Sequence, residues 1–305
     1  MKLVSFTRGG TASYGLILKD GRIMDLPQAA GLAGQASPGA NMIAFVAGGN
    51  ASAQTARRLE DDAGNAKLAP AISAASSVKL TAPIPRPAKN VFCIGRNYKE
   101  HVAEGYRARA QEIKMPEAPQ IFTKPPTAVI GPDDEFRIDP AVSSVIDYEV
   151  ELGVIIGQGG ANIPAAKAMD HVYGYTIIND VTARDLQRKH DQWFKGKGLD
   201  RSCPMGPYIL TKDEVPNVGE LELTLTVNGE QRQKSTVNMM IFDIPAIIQN
   251  LSSGMTLEAG DVIATGTPSG VGFAMNPPGL LKAGDVTVCK ITKLGELTTK
   301  FVAAK

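Results

Sequence analysis

The sequence predicts a strand-rich α+β protein, with a small α/β N-terminal domain over residues 1–82 and a larger domain over residues 83–305. Three observations carry that reading. Residues 1–27 alternate short apolar runs with turns, as an antiparallel meander does. Residues 81–90 hold prolines at alternate positions. Beyond them, short strand patterns recur and helical periodicity is sparse.

In chain order, Lys2–Phe6, Tyr14–Leu18 and Arg22–Leu26 read as strands, with a Lys19-Asp20-Gly21 turn between the last two. The spacing of Met42, Ile43, Phe45, Val46, Ala53, Ala56 and Leu59 predicts helical pieces broken at Gly48-Gly49-Asn50. Pro83, Pro85 and Pro87 make an extended connector, because proline cannot donate to a central ladder. The domain boundary is placed there. Val91–Ile94 and Pro119–Pro126 read as strands, a helix is expected from about Pro164 to Asp170, and Val172–Ile178 reads as a buried strand. Leu221–Val227 alternates cleanly and ends in Asn228-Gly229, a strong hairpin signal. Ile241–Leu251 has helical spacing. Leu-x-Ala-Gly-Asp-Val occurs at Leu257 and again at Leu281, which predicts one tight Gly-Asp turn used twice.

Composition narrows the function. A net charge of +1 with 21% charged residues shows no electrostatic footprint for nucleic acid. The N-terminal run meets Arg8 and Gly9-Gly10 too early for a secretory core, and no apolar stretch approaches a membrane span. The cytoplasm is the expected compartment. Cys93, Cys203 and Cys289 are widely spaced and form no C-x-x-C pair, so they are read as reduced packing residues.

The chemistry centres on Asp147-Tyr148-Glu149-Val150-Glu151-Leu152. In an extended strand Asp147, Glu149 and Glu151 share one face, while Tyr148, Val150 and Leu152 share the other. Neighbouring carboxylates repel one another and need water, bases or a cation. Asp180 ends the Val172–Ile178 strand and is placed to complete a cluster with Glu149 and Glu151. An all-oxygen set suits Mg²⁺, Mn²⁺ or Ca²⁺, and the lack of His or Cys beside it argues against Zn²⁺. A solvated acidic face is the competing reading.

Upstream, Asn97 reads as an N-cap of a helix on which His101 and Glu104, three apart, face one side. The pair is either a base with its orienting carboxylate or a structural contact. Residues 105–119 are polar and bounded by Gly and Pro, as in a mobile flap or a solvated loop. Lys197 could donate to an anionic intermediate or lie on the surface. Arg184 and Gln187 share a helix face and could clamp a carboxylate or simply be solvated. The glycine runs at 157–160 and 266–272 lack the spacing of phosphate-binding loops.

From Val91 onward the chain resembles the fumarylacetoacetate hydrolase family. The resemblance runs through Gly95-Arg96-Asn97-Tyr98-x-x-His101-x-x-Glu104, Asp147-Tyr148-Glu149-x-Glu151-Leu152 and Asn179-Asp180-Val181-Thr182-Ala183-Arg184-Asp185-x-Gln187. It continues through Lys197 ahead of Ser202-Cys203-Pro204 and ends at Thr265-Gly266-Thr267-Pro268-x-Gly270-Val271-Gly272. It implies a mixed β-sandwich roll, a homodimer, and Mg²⁺ or Mn²⁺ on Glu149, Glu151 and Asp180. His101 and Glu104 are then the catalytic dyad and Lys197 the anion-stabilising lysine. Arg184, Gln187 and Thr267 are substrate contacts, and Arg107 or Arg109 meets a second carboxylate. The implied reaction is hydrolysis of a C–C bond in an acylpyruvate such as fumarylpyruvate, with water activated by His101 and a pyruvate enolate leaving. Oxaloacetate decarboxylation and isomerisation of 2-hydroxymuconate-like diacids are the alternatives on the same scaffold. A non-catalytic metal-binding module is a remote third, since metal binding alone needs neither His101, Glu104 nor Lys197.

Overall fold

The computed structural model describes residues 1–304. Strands Lys2–Arg8, Thr11–Ile17 and Ile23–Asp25 form the expected antiparallel meander, in register at Leu3↔Leu16 and Leu16↔Met24. Helices Met42–Ala47 and Gly49–Asp61 meet at Gly48, within the expected break.

The meander is the flank of a 12-stranded sheet. Lys2 and Leu3 pair with Leu210 and Ile209 of strand Cys203–Thr211, so the sheet crosses the 82/83 division. One core cluster likewise joins Leu3, Tyr14 and Phe45 to Cys93, Ile155 and Ile178. From Cys203–Thr211 the sheet continues through Val172–Asn179, Val150–Ile156, Val262–Ala264, Val91–Gly95 and Gln120–Lys124. These central strands deliver the site residues.

A second sheet orders Glu230–Thr236, Glu222–Val227, Val286–Ile291, Gly295–Ala303 and Glu135–Ile138. Its Leu223, Leu225 and Leu297 pack with Val150, Leu152 and Val154 of the large sheet in a shared core. The Asn228-Gly229 hairpin has both residues at positive φ, 51° and 84°, as a type I′ turn requires. The repeated Gly-Asp turn is also found twice. Asp261 accepts from the Glu258 N–H at 2.8 Å and Asp285 from the Lys282 N–H at 2.9 Å. Among the described residues no helix is long and apolar enough to cross a membrane.

Three local expectations change. The Pro164–Asp170 helix is one turn, Ala165–Ala168, continued as a 3₁₀ turn to His171. The acidic stretch is interrupted at Tyr148-Glu149, with Ile146–Asp147 pairing instead with Thr182–Ala183. Asn97 is not an N-cap, a place taken by Tyr98 with no side-chain bond. Asn97 is fully buried, donates to the Phe242 and Thr265 carbonyls at 2.9 and 2.8 Å, and accepts from the Phe242 N–H at 2.8 Å. It ties the end of strand Val91–Gly95 to the loop that carries Gly266 and Thr267. Asn97→Ala leaves buried backbone groups unpaired and is expected to destabilise the fold by about 1–3 kcal/mol. Urea denaturation reads this as a lowered midpoint, and an unchanged midpoint would show that the loop holds itself.

Candidate active site

Glu149, Glu151 and Asp180 are all buried, and one carboxylate oxygen from each lies within 4.8 Å of the others. Sheet register brings them together. Glu151 sits opposite Ile178, and Asp180 follows the paired Asn179. The Asp180 N–H then donates to the Glu149 carbonyl at 2.8 Å, while Asn179 Oδ1 accepts from the Glu149 N–H at 3.1 Å.

Cations surround this cluster. Lys197 Nζ lies 2.7 Å from Glu149 Oε2 and 2.6 Å from Asp180 Oδ2. Arg184 donates to Asp147 at 2.9 Å and to Glu149 at 2.6 Å. Lys124, fully buried, lies 2.8 Å from Asp180 Oδ1 and donates to the Val181, Lys197 and Ser202 carbonyls. Its ammonium is not aligned for a hydrogen bond to Asp180 Oδ1, which stays buried without a donor.

Four carboxylates, counting Asp147, thus face three cations, and the surplus charge falls on Glu151. Among the described residues its only hydrogen bond comes from the Gly266 N–H at 2.9 Å. Burial, with Asp180 and Glu149 nearby, pushes the Glu151 carboxyl well above the usual range. For Glu149 burial acts in the same direction, but Lys197, Arg184 and His101 outweigh it and hold the carboxyl below that range. An uncompensated buried carboxylate beside a second carboxylate whose Oδ1 accepts no hydrogen bond fits a hard divalent cation. Asp147 is no part of that oxygen set. It accepts from Arg184 and from the Gly272 and Phe273 N–H groups at 2.8 and 3.1 Å, so it positions the arginine and the loop.

The triad's two glutamates open into a cavity of about 230 Å³ that His101, Arg109, Arg184, Gln187, Lys197 and Thr267 also line. His101 Nδ1 is 2.9 Å from Glu104 Oε1, and Glu104 Oε2 accepts from the Gly270 N–H at 2.8 Å. A carboxylate can only accept, so Nδ1 carries the proton and Nε2 is the basic nitrogen. Thr267 donates to the Val150 carbonyl at 3.0 Å and accepts from Gln233 Nε2 at 2.8 Å. Gln187 Oε1 accepts from Arg184 at 3.1 Å.

Arg107 is not brought to the cavity. The helix runs Lys99–Arg107, and two residues past the cavity-lining Gly105 a side chain points about 200° away. Arg107 lies exposed, 3.7 Å from Glu100. The 105–119 segment therefore begins as the last turn of a helix, and of its two arginines only Arg109 reaches the site. Periodicity and spacing do not single out Lys124, Gln233, Arg96 or Trp193 as site residues. Trp193 carries a signal, as the single tryptophan inside a charged stretch. Lys124 has only its apolar-strand setting. The three cysteines are buried, and burial pushes the Cys203 thiol up to about 12, in keeping with packing roles.

This fold and site define a class. Residues 90–302 match the family model described as fumarylacetoacetate (FAA) hydrolase C-terminal, and the chain belongs to that family. It is 45% identical to the oxaloacetate tautomerase YisK of Bacillus subtilis over 291 residues, 94% of this chain and 95% of that one. Among solved structures it resembles a fumarylacetoacetate hydrolase from Exiguobacterium antarcticum, with TM-score 0.79, 36% identity and full coverage of both chains. It also resembles a 5-carboxymethyl-2-hydroxymuconate delta-isomerase from Mycobacterium smegmatis, with TM-score 0.75, 31% identity and full coverage of both. Acylpyruvate hydrolysis, the reaction expected from the motifs, is not the activity named for the Bacillus relative or the Mycobacterium structure.

Proposed function

We propose that the protein moves a proton at the carbon beside the 2-oxo group of a small 2-oxo acid, interconverting its keto and enol forms, with oxaloacetate as the leading substrate. The observation that carries this reading is His101, bonded to Glu104, lining the same small cavity as Glu149 and Glu151 of the carboxylate triad. The named activity of the Bacillus relative supports proton transfer over bond cleavage. Mg²⁺ or Mn²⁺ held by Glu149, Glu151 and Asp180 would polarise the 2-oxo group as a Lewis acid.

His101 Nε2 takes a proton from C3, and the Glu104 carboxylate, fixed by the Gly270 N–H, stabilises the resulting imidazolium. Negative charge develops on the 2-oxygen, and the Lys197 ammonium sits on that side of the cavity to oppose it. His101 then releases the proton to the oxygen, which completes the keto-to-enol change with no bond broken in the carbon skeleton. Thr267 and Gln187 orient the bound acid. A homodimer acting on a free small molecule belongs to the same proposal.

The likeness to the Exiguobacterium fumarylacetoacetate hydrolase favours a second reading, C–C hydrolysis, in which the same base would activate water. One experiment separates them. Purified protein with Mg²⁺ or Mn²⁺ is followed by NMR for C3 deuterium exchange and keto–enol conversion of oxaloacetate, and for pyruvate release from acetylpyruvate and fumarylpyruvate. Rapid exchange with little cleavage is expected. Pyruvate release outpacing exchange would return the protein to the hydrolases, and pyruvate formed from oxaloacetate itself would make it a decarboxylase.

A further inference from the structure

The loop from Thr265 to Phe273 runs beside the acidic stretch in the opposite direction and is fastened to it along its length. The Thr265 N–H donates to the Leu152 carbonyl at 3.0 Å, the Gly266 N–H to Glu151 at 2.9 Å and the Thr267 hydroxyl to the Val150 carbonyl at 3.0 Å. At the other end the Gly272 and Phe273 N–H groups reach Asp147. Between these, the Tyr148 hydroxyl donates to the Gly270 carbonyl at 3.1 Å.

Among the described residues, Gly270 is the one member of this loop hydrogen-bonded to the dyad. Its N–H donates to Glu104 Oε2, while Glu104 Oε1 holds His101 Nδ1. The loop thus supplies one of the two partners of the Glu104 carboxylate. Gly270 has a φ of 102°, and a Cβ there would lie 1.9 Å from the Arg232 carbonyl oxygen of strand Glu230–Thr236. Backbone pressed this close to a strand cannot retreat in that direction. Tyr148 fixes the carbonyl of the same residue. It is fully buried in the shared core, so its ring is held by packing, and its hydroxyl has a single proton to give. Met275 Sδ lies 3.7 Å from that hydroxyl, but sulfur is the weaker acceptor and already receives Arg232 Nη1 at 2.8 Å, so the proton goes to Gly270.

We infer that Tyr148 is a positioning residue for the proton transfer, holding Glu104 through Gly270 and, through Glu104, setting the direction of the His101 ring. The inference rests on the proton-transfer reading above. One stretch of chain then serves both halves of the site, with Glu149 and Glu151 in the triad and Tyr148 bracing the dyad. Tyr148 does not line the cavity, so it acts only through the residues it holds.

Tyr148→Phe removes the hydroxyl and keeps the ring. The kcat for C3 deuterium exchange into oxaloacetate is expected to fall about tenfold, the scale of one hydrogen bond, with KM unchanged. The same substitution in a Glu104→Ala background should cost less than about twofold, since the route through Glu104 is already cut. Met275→Leu should exchange as the wild type does, and a loss equal to that of Tyr148→Phe would overturn the route through Gly270. Independently of turnover, NMR reads the ring ¹⁵N resonances of His101, the set missing from His101→Gln. Tyr148→Phe should move the Nδ1 resonance towards that of a free, tautomer-averaged imidazole. An unmoved resonance overturns the positioning role, as does an equal loss in both backgrounds, the mark of a merely structural residue. Circular dichroism checks folding, and Tyr148→Met, also without a donor, gives the same readouts should the phenylalanine variant not fold. A moved resonance in a protein that does not exchange oxaloacetate keeps Tyr148 as the brace of the dyad and removes the catalytic reading. Exchange with an unmoved resonance removes the positioning role alone.

Discussion

His101→Gln is expected to slow C3 deuterium exchange into oxaloacetate by about 10²–10⁴-fold, the usual contribution of a positioned general base. Glutamine retains an amide N–H for Glu104 but has no nitrogen lone pair of comparable basicity to take the C3 proton. The glutamine amide falls nearer the Nε2 than the Nδ1 position, so the contact to Glu104 is loosened while the proton acceptor is lost. His101 and Glu104 are both largely buried, so the substitution is made where packing matters, and thermal unfolding serves as the control. A midpoint near that of the wild type together with a collapsed exchange rate assigns the loss to chemistry. Wild-type exchange by this variant would mean that another group is the base, and the dyad would be a structural contact. Glu104→Gln should have a smaller effect, because it removes the carboxylate that stabilises the imidazolium and leaves the imidazole in place.

The second large effect separates two residues of the carboxylate triad by their partners. Asp180→Asn withdraws the charge that faces two buried ammoniums, Lys197 at 2.6 Å and Lys124 at 2.8 Å. Lys197 keeps Glu149 at 2.7 Å, whereas Lys124 loses its only ion-pair partner among the described residues, and an uncompensated buried charge of this kind costs about 3–5 kcal/mol. Glu151 is in the opposite position, with no ion-pair partner among the described residues and a single backbone donor that a glutamine carbonyl also satisfies. Glu151→Gln is therefore expected to leave stability in EDTA unchanged or raised. Both variants should lose the stabilisation that Mg²⁺ confers, which for a wild type at a hundred times its Kd is about 2.7 kcal/mol. Urea denaturation with and without Mg²⁺ measures all of these quantities. Equal destabilisation of the two variants in EDTA would overturn the assignment of the surplus charge to Glu151. A full Mg²⁺ response in either would remove that residue from the cation site.

The legibility of the site follows the range of the interactions that build it. Glu149 and Glu151 are visible because strand alternation places them, and His101 and Glu104 because helical spacing does. The Asn228-Gly229 hairpin and the paired Leu-x-Ala-Gly-Asp-Val turns are visible because a few adjacent residues close each of them. Arg107 illustrates the limit. Its charge suggests a substrate contact, yet a helix that runs on through the start of the expected flap carries it round to Glu100. Asn97 has the side chain of an N-cap, but its partners lie 145 and 168 residues away.

By itself, then, the sequence determined the strand-rich α+β class, the meander, the principal strands and the identity of the groups able to do chemistry, because local periodicity and turn stereochemistry encode these. Only the tertiary structure decided which charges meet. It put Lys124 and Lys197 against Asp180, left Glu151 with a lone backbone donor, closed the Glu104 to Gly270 contact across 166 residues, and set Arg96 between Tyr106 and Trp193. Those juxtapositions depend on sheet order, which brings sequence-distant strand ends side by side. Coulombic and hydrogen-bond energies depend on distance in space rather than along the chain, so they were settled only once the strands had paired.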